Sequence, residues 1–162
     1  GVDDEEFTPQ GLNKWTSERY LIKLNRMAEA ISKIGEDDGI KGGPAILGVS
    51  EIENRQVLED LVAHPLLKAS NYQIVHYDSP DLRGVDVALL YQPRYFRVIS
   101  SESPELVIFN EDGQRVFTRD QLVVTGSFDG ENVSVIVNHW PSRSSGESVN
   151  FTVIPLVPFL LE

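Results

Sequence analysis

Asn138, His139 and Arg143 place an amide, an imidazole and a guanidinium within residues 137–143, whose sequence is VNHWPSR. The β-forming run 133–137 precedes them, so these side chains should stand at the end of a buried strand. Histidine is the side chain whose unperturbed pKa lies closest to neutral, so an imidazole here can carry a proton. Arg143 can hold a phosphate or a carboxylate through two parallel hydrogen bonds. An isolated segment of this kind is more often a strand followed by a proline-ended loop, but two other segments change that balance.

Carboxylates follow another predicted strand in a similar way. The apolar run 45–49 indicates a buried strand, and residues 47–54 (LGVSEIEN) place Glu51 and Glu53 where it ends. Ligands of open α/β sheets commonly bind at the carboxyl ends of strands, and Mg²⁺ usually takes one or two carboxylates together with water. Glu51 is the better metal candidate because it lies nearer the strand end. Glu53 fits a solvated residue at a helix N-terminus, where negative charge is favourable anyway.

The loop 77–84 leads into an apolar strand predicted at 85–91 and contains Arg83 beside Gly84. Arg83 could reach a phosphate because the glycine lets the backbone approach closely. Asp86 interrupts the apolar strand, and a buried aspartate is costly unless it is paired. We therefore expect a partner for Asp86, such as Arg83 or a catalytic histidine. A solvated acidic loop with an internal ion pair would be the better interpretation if this segment stood alone.

The composition limits the class of protein. The chain has 162 residues, 41% hydrophobic and 24% charged, as is usual for one globular domain with a substantial core. It has no cysteine, which excludes a disulfide framework and a thiolate metal site. The formal net charge is −11, from 25 acidic and 14 basic residues, and opposes nonspecific attachment to nucleic acid. It does not oppose divalent cations, so a small phosphorylated substrate is easier to admit than a long duplex.

Helices are predicted in the first half of the chain and strands in the second. Hydrophobic residues recur three or four apart from about Ser17. Thr16 or Ser17 can cap the start of this helix, and Gly35 can end it. Asn54 can cap a second helix, which should end near Pro65. Early helices and later consecutive strands favour an α/β fold with a mixed β-sheet and flanking helices. The candidate strands are 45–49, 72–77, 85–91, 95–100, 116–127 and 132–137, with a hairpin turn at Asp129-Gly130.

The last residues, 149–162, are almost wholly apolar, and Pro155 and Pro158 interrupt them. A helix that spans a bilayer needs about 20 apolar residues, so we expect no membrane span here. The segment could be an edge strand, a segment through which the chain self-associates, or an aberrant end of a reading frame. The abrupt loss of charge after Glu147 favours the last of these. We divide the chain into a domain at 1–148 and an atypical apolar tail at 149–162.

Three segments together resemble motifs of the endonuclease/exonuclease/phosphatase superfamily, the metal-dependent phosphoesterases that include DNase I-like nucleases and sphingomyelinase-like phosphodiesterases. LGVSEIEN is similar to the glutamate motif, although Ser50 stands where glutamine is usual. RGVDVALLY (83–91) resembles the strand after the substrate-contacting arginine, and VNHWPSR resembles the first histidine motif. The opening segment 3–20 resembles the part before the first helix in the bacterial branch. The order and spacing of these motifs over residues 3–147 carry the resemblance.

The resemblance implies roles for the matching residues. Glu51 would bind Mg²⁺ or Mn²⁺, and His139 would contact the scissile phosphate and help to protonate the leaving oxygen. Arg83 would hold the substrate or structure the site, and Asn138 would support it. The substrate would be a phosphoester: nucleic acid, a phospholipid headgroup or a small phosphate ester. The candidate substrate-binding residues are Arg83, Asp86, Asn138 and Arg143.

The chain also departs from the family pattern. The family's first strand carries an asparagine that completes the metal site, and this chain begins after it. The later Gly-Asp-x-Asn motif and the closing Asp-His pair do not follow residue 143, so the base that activates water is missing. A family member builds a DNase I-like four-layer α/β sandwich, of which this chain would supply about half. We expect little or no hydrolase activity from this polypeptide alone; the alternative is a noncatalytic interaction module that pairs through its apolar C-terminal strand.

Overall fold

The computed structural model describes residues 5–110 and 112–140 and, for 152–154, the backbone of one strand. Within these residues two α-helices precede most of the strands, as the sequence predicts. None of the helices described is long and apolar enough to cross a bilayer. The helices are α1 (Ser17–Lys33) and α2 (Arg55–Ala63); the strands are β1 (Ile46–Ile52), β2 (Gln73–His76), β3 (Asp86–Tyr91), β4 (Phe96–Glu102), β5 (Val107–Phe109), β6 (Arg115–Val116), β7 (Leu122–Phe128), β8 (Glu131–Val137) and β9 (Thr152–Ile154).

Local signals set the bounds of both helices. The Thr16 side chain accepts a hydrogen bond from the Arg19 N–H at the start of α1. Gly35, just beyond the end of α1, has a left-handed φ of 83°. The Asn54 side chain accepts from the Val57 N–H at the start of α2. Both helices therefore begin at capping residues; α1 ends before Gly35, and α2 ends at Ala63, near the predicted Pro65.

The strands form three sheets of three strands each, in the orders β1-β3-β2, β4-β7-β8 and β6-β5-β9. Every pairing among the described strands is antiparallel. The predicted hairpin joins β7 to β8 through Asp129 and Gly130, with φ angles of 50° and 84°. Two consecutive positive φ angles are what a two-residue turn of type I′ requires, which is why an Asp-Gly pair marks it.

The strand predicted at 116–127 is divided in the structure. β6 ends at Val116 and β7 begins at Leu122, and the connection between them buries Thr118 and Arg119. A buried arginine needs hydrogen-bond acceptors, and those of Arg119 lie on other segments of the chain. The strand is interrupted so that the guanidinium can reach them. β5 was not predicted because its three residues are too few to show an alternating pattern.

Two hydrophobic cores arrange these elements in layers. The helices pack on one face of the β1-β3-β2 sheet, and the β4-β7-β8 sheet packs on the other. Residues of β3 alternate between the cores: Ala88 and Leu90 face the helices, and Val87 and Leu89 face the second sheet. Because both faces of β3 are covered, its sequence is almost continuously apolar. One helical layer and two packed sheets confirm the predicted α/β class.

A hydrogen bond between α1 and α2 should make stability depend on pH in the alkaline range. The Tyr20 hydroxyl donates to Asp60 Oδ2 at 2.6 Å, and burial together with this bond raises the pKa of Tyr20 to about 12. The folded state therefore favours the neutral phenol, whose contribution is complete below the unfolded pKa of about 10. That contribution is lost as the pH rises through the folded pKa, and Tyr20→Phe should remove this part of the pH dependence.

Urea unfolding of the wild type and Tyr20→Phe, from neutral to alkaline pH, measures the difference between the two proteins. Tyr95→Phe is the matched control, because that ring is 49% exposed and lies against Arg94. The difference between wild type and Tyr20→Phe should shrink as the pH rises. A difference that stays constant across the range would contradict the assignment.

Candidate active site

A β-bulge near the end of β1 determines where the Glu51 side chain points. The pairing of β1 with β3 shifts register between Ser50 and Ile52, with Glu51 as the extra residue. Strict alternation from Val49 would turn Glu51 toward the helices. The bulge gives that place to Ile52, which is buried in the helical core. The Glu51 side chain is therefore released from the core and is 62% exposed.

The backbone of Glu51 is in a conformation that residues with side chains seldom adopt. Its φ is 57°, in the left-handed region. Such a conformation costs on the order of 1–3 kcal/mol and persists only where the surrounding structure imposes it. Here the β1–β3 ladder imposes it on both sides of the bulge. Strained residues of this kind concentrate at functional sites, so the backbone independently marks Glu51 as a candidate.

The second sheet brings residues 137–140, which we call the histidine segment, to the same end of the molecule as Glu51. β8 ends at Val137, whose side chain packs over Gly48 of β1. A Cβ at Gly48 would lie only 3.2 Å from Val137 Cγ2, so the glycine permits this close approach of the two sheets. His139 follows two residues after Val137 and therefore lies beside the end of β1.

Glu51 and His139 face each other at this end. His139 Nε2 lies 3.8 Å from Glu51 Oε1, and the two side chains are 27% and 62% exposed. The other ring nitrogen, His139 Nδ1, is buried and has no hydrogen-bond partner among the residues described. An exposed carboxylate and an imidazole at this separation can act on one bound cation and its anionic ligand.

A buried arginine that the sequence analysis did not single out holds the main chain of His139. Arg119 Nε and Nη2 both donate to the His139 carbonyl oxygen, at 3.2 and 3.0 Å. Arg119 Nη1 donates to Asp81 Oδ2 at 2.8 Å, and the two side chains are only 5% and 4% exposed. The sequence did contain a signal: Arg119 and Asp120 are two charged residues inside the strand predicted at 116–127.

Arg83 lies on the exposed side of the same network. Its Nε is 3.6 Å from Asp81 Oδ1, and its backbone N–H donates to that oxygen at 2.9 Å. The Arg83 side chain is 54% exposed, so it remains accessible to a ligand. Through Asp81 and Arg119, the loop that carries Arg83 is joined to the histidine segment.

Asp86 pairs with His76. The sequence had suggested Arg83 or a catalytic histidine as its partner, and neither Arg83 nor His139 is bonded to it. His76 Nε2 lies 3.1 Å from Asp86 Oδ2, and the Ser79 N–H donates to Asp86 Oδ1 at 2.9 Å. Because β2 pairs with β3, the side chains of His76 and Asp86 lie on the same face of the sheet as diagonal neighbours. Both are almost fully buried, so this aspartate is enclosed between β2 and the loop that follows it.

Residues 1–151 match the sequence pattern of a family described as "Endonuclease/Exonuclease/phosphatase family". The chain belongs to this family. The resemblance drawn from the three motifs is thereby confirmed, and Glu51 and His139 both lie within the matched residues. No curated protein is similar enough to count as a relative.

Solved structures similar to this endonuclease/exonuclease/phosphatase family member include two of D. rerio TDP2. The one humanized by 14 mutations is 15% identical, with a TM-score of 0.48, and covers 74% of this chain and 44% of its own. The one complexed with a single strand DNA product is 14% identical, with a TM-score of 0.49 and coverages of 76% and 42%. An endonuclease/exonuclease/phosphatase from Bacteroides vulgatus is 18% identical, with a TM-score of 0.46 and coverages of 80% and 46%. This chain therefore spans less than half the length of each of these proteins.

Members of this family generally depend on a divalent metal ion, and the described residues offer two candidate places for one. His76, Asp78 and Asp86 present ligand atoms that all lie within 4.8 Å of one another. Asp78 is exposed, whereas the other two side chains are buried and bonded to each other. Glu51 offers one exposed carboxylate, which suits Mg²⁺ when water completes the coordination.

Asp120, in the connection between β6 and β7, is a partly buried carboxylate. Burial raises the pKa of Asp120 above its ordinary value, and the neighbouring carboxylates of Glu105 and Asp86 act in the same direction. The Leu106 N–H, which donates to Asp120 Oδ1 at 3.0 Å, opposes the shift. The Arg115 guanidinium also opposes the shift in the pKa of Asp120, and burial is its main cause.

The remaining predicted site residues, Asn138 and Arg143, are close to His139 in the sequence. Asn138 is exposed next to it, so its amide is open to a ligand. Arg143 lies outside the described residues, and its role stays a prediction. The same holds for most of the tail at 149–162; its described part is β9, whose backbone pairs with β5.

Proposed function

We propose that this chain binds a divalent metal ion and a phosphoester between Glu51 and His139, as part of a metal-dependent phosphoester hydrolase. The observation that supports this most directly is the 3.8 Å separation of Glu51 Oε1 and His139 Nε2. One group suits a hard cation and the other suits proton transfer, and they come from different sheets to one solvent-accessible place. Metal-assisted hydrolysis of a phosphoester can use this combination.

Glu51 would hold the ion, Mg²⁺ or Mn²⁺. Its carboxylate fits this role because it is exposed and because the bulge fixes the backbone that carries it. A divalent ion with one carboxylate and several water molecules is a usual arrangement for Mg²⁺. When bound, the ion would neutralise negative charge on the phosphoryl oxygens.

His139 would contact the phosphate and give a proton to the leaving oxygen. Nε2 is the ring nitrogen suited to this contact, because Nδ1 is buried. Asn138 would support the phosphate beside it. Arg83, with its exposed guanidinium, would bind a further anionic group of the substrate, as would Arg143.

Asp86 would contribute to the substrate site indirectly. Its carboxylate accepts a hydrogen bond from the Ser79 N–H and so holds the start of the loop that leads to Arg83. The pairing with His76 keeps this buried charge satisfied. The role is to shape the site rather than to touch the phosphate.

Activation of water needs a second proton acceptor, because His139 is assigned to the leaving oxygen. The chain has three histidines. His64 Nδ1 accepts from the Leu66 N–H after α2, and His76 is bonded to Asp86. We therefore propose that this polypeptide alone has little or no hydrolase activity, and that its binding of metal and phosphate is the property to measure.

The substrate class comprises nucleic acid, phospholipid headgroups and small phosphate esters. D. rerio TDP2 was solved with a single strand DNA product, so nucleic acid remains among them. The net charge of −11 opposes a long polyanion and is less unfavourable to a small ester that arrives with its divalent cation.

Mg²⁺ and thymidine 5′-monophosphate, a small phosphate monoester, are suitable probes. We expect the nucleotide to bind the wild type only when Mg²⁺ is present. His139→Ala should weaken that binding about 10–100-fold, because a hydrogen bond to a charged group contributes roughly 1.5–3 kcal/mol. Isothermal titration calorimetry with the nucleotide in Mg²⁺ buffer measures the loss.

His64→Ala is the matched control, because it removes the same kind of side chain beyond the end of α2. It should bind the nucleotide as the wild type does. Two results would each refute the proposal: no nucleotide binding by the wild type with Mg²⁺, or equal affinity in the wild type and His139→Ala.

A further inference from the structure

We propose that Arg119 positions His139, and that Asp81 orients Arg119 for this task. The inference rests on the proposed function, in which His139 contacts the phosphate. Arg119 differs from the residues proposed to bind the substrate, because it is buried and its contact with the histidine segment is to the main chain. Arg119 is therefore a positioning residue.

One edge of the guanidinium makes the contact. Arg119 Nε and Nη2 converge on the single carbonyl oxygen of His139, at 3.2 and 3.0 Å. On the opposite side, Nη1 donates to Asp81 Oδ2 at 2.8 Å and sets the rotation of the guanidinium plane. A lysine could keep the positive charge, but its ammonium is a point donor on a flexible stem and cannot reproduce the two-donor edge.

The anchor matters because, within the part of the chain that the structure describes, no hydrogen bond holds the ring of His139. A catalytic imidazole is ordinarily oriented by an acceptor on the nitrogen that does not react. His139 Nδ1 is buried, yet none of the residues described accepts from it or donates to it. The direction of Nε2 toward Glu51 therefore depends on the position of the main chain, which Arg119 holds just beyond the end of β8.

The same network joins three loops. Asp81 lies before β3, Arg119 lies between β6 and β7, and His139 follows β8. The ion pair is almost completely enclosed, so water does not compete for its hydrogen bonds. Asp81 is itself held by the Arg83 N–H through its other oxygen. A shift of any of these loops would move His139 relative to Glu51.

Arg119→Lys tests the proposal through two readouts: nucleotide binding in Mg²⁺ and the NMR signals of the histidine rings. We expect a folded protein whose Mg²⁺ response is retained, since Glu51 is untouched. Binding of thymidine 5′-monophosphate should weaken about tenfold or more, because a misplacement of about 1 Å at a reacting group is costly. The ring signals of His139 should shift or broaden, while those of His64 stay unchanged.

Arg115→Lys is the matched control. That arginine lies four residues away in β6 and pairs with Glu105 at the surface, so its replacement should leave both readouts unchanged. Wild-type nucleotide affinity and unshifted His139 signals in Arg119→Lys would overturn the proposal. If the wild type itself binds no nucleotide, the proposed function fails, but the His139 signals still decide whether Arg119 positions the ring.

Loss of a buried ion-pair partner can unfold a protein. Two further measurements therefore test the proposal with a substitution that keeps the shape of the side chain, and with no substitution. Asp81→Asn keeps the shape of the side chain and an acceptor oxygen, and it should produce smaller changes of the same kind. In the wild type, the Arg119 Nε–H proton should be protected from exchange with water. Rapid exchange of that proton would overturn the proposal without any variant.

Discussion

Replacement of Glu51 by glutamine should abolish the stabilisation of the folded chain by Mg²⁺ or Mn²⁺. Glutamine keeps the size of the side chain at the bulge, but its amide lacks the charge that a hard cation requires. An ion that binds only the folded state stabilises it by about 2.7 kcal/mol at roughly 100 times its dissociation constant. The whole of this increment should disappear. Thermal unfolding at increasing concentrations of each ion measures it.

A control substitution distinguishes the two candidate metal sites. Asp78→Asn removes the exposed carboxylate of the group formed with His76 and Asp86, and it leaves their buried pair intact. If Glu51 binds the ion, Asp78→Asn keeps the full metal response. A response that survives in Glu51→Gln and vanishes in Asp78→Asn would assign the ion to β2 and β3 and reject Glu51 as its ligand.

Phe96→Ala should lower the free energy of unfolding by about 3–5 kcal/mol. Phe96 is fully buried in the core between the two sheets, and its ring meets that of Tyr91 edge-on with centroids 5.8 Å apart. The ring occupies the space over Gly126, where a Cβ would lie only 2.4 Å from Phe96 Cζ. Neighbouring strands cannot close this space without moving, so a cavity remains. Urea unfolding measures the loss.

Phe128→Ala is the matched control for this substitution. Phe128 is the cross-strand partner of Phe96 in the same sheet, but it is 38% exposed at the end of β7. Its replacement should cost clearly less, because part of its surface is already in water. Equal losses for the two substitutions would show that Phe96 is not central to the packing of the sheets.

Sequence was sufficient where the physical cause is local. Thr16 and Asn54 cap their helices through N–H groups three residues away. Asp129 and Gly130 form the turn between β7 and β8 through their own φ angles. Such features depend on neighbours in the chain, so residue type and spacing reveal them. The order and spacing of the motifs also predicted the family.

Contacts between distant segments were not predicted so well. Asp86 was expected to pair with an arginine or a catalytic histidine, but β2 lies next to β3 and brings His76 to it. Arg119 lay within a predicted strand, and its acceptors became apparent only when three loops met in the structure. In both cases the sequence showed that a buried charge needs a partner, and strand order determined which partner it has.

By itself, the sequence determined which side chains are available for chemistry: a carboxylate near the end of one strand and an imidazole after another, β8, which the structure shows to be a partly exposed edge strand. Tertiary structure alone decided that Glu51 and His139 lie 3.8 Å apart. That distance depends on the bulge in β1 and on the approach of β8 over Gly48. The physical reason is that a side chain's type belongs to one residue, whereas the separation of two side chains is set by how two sheets pack.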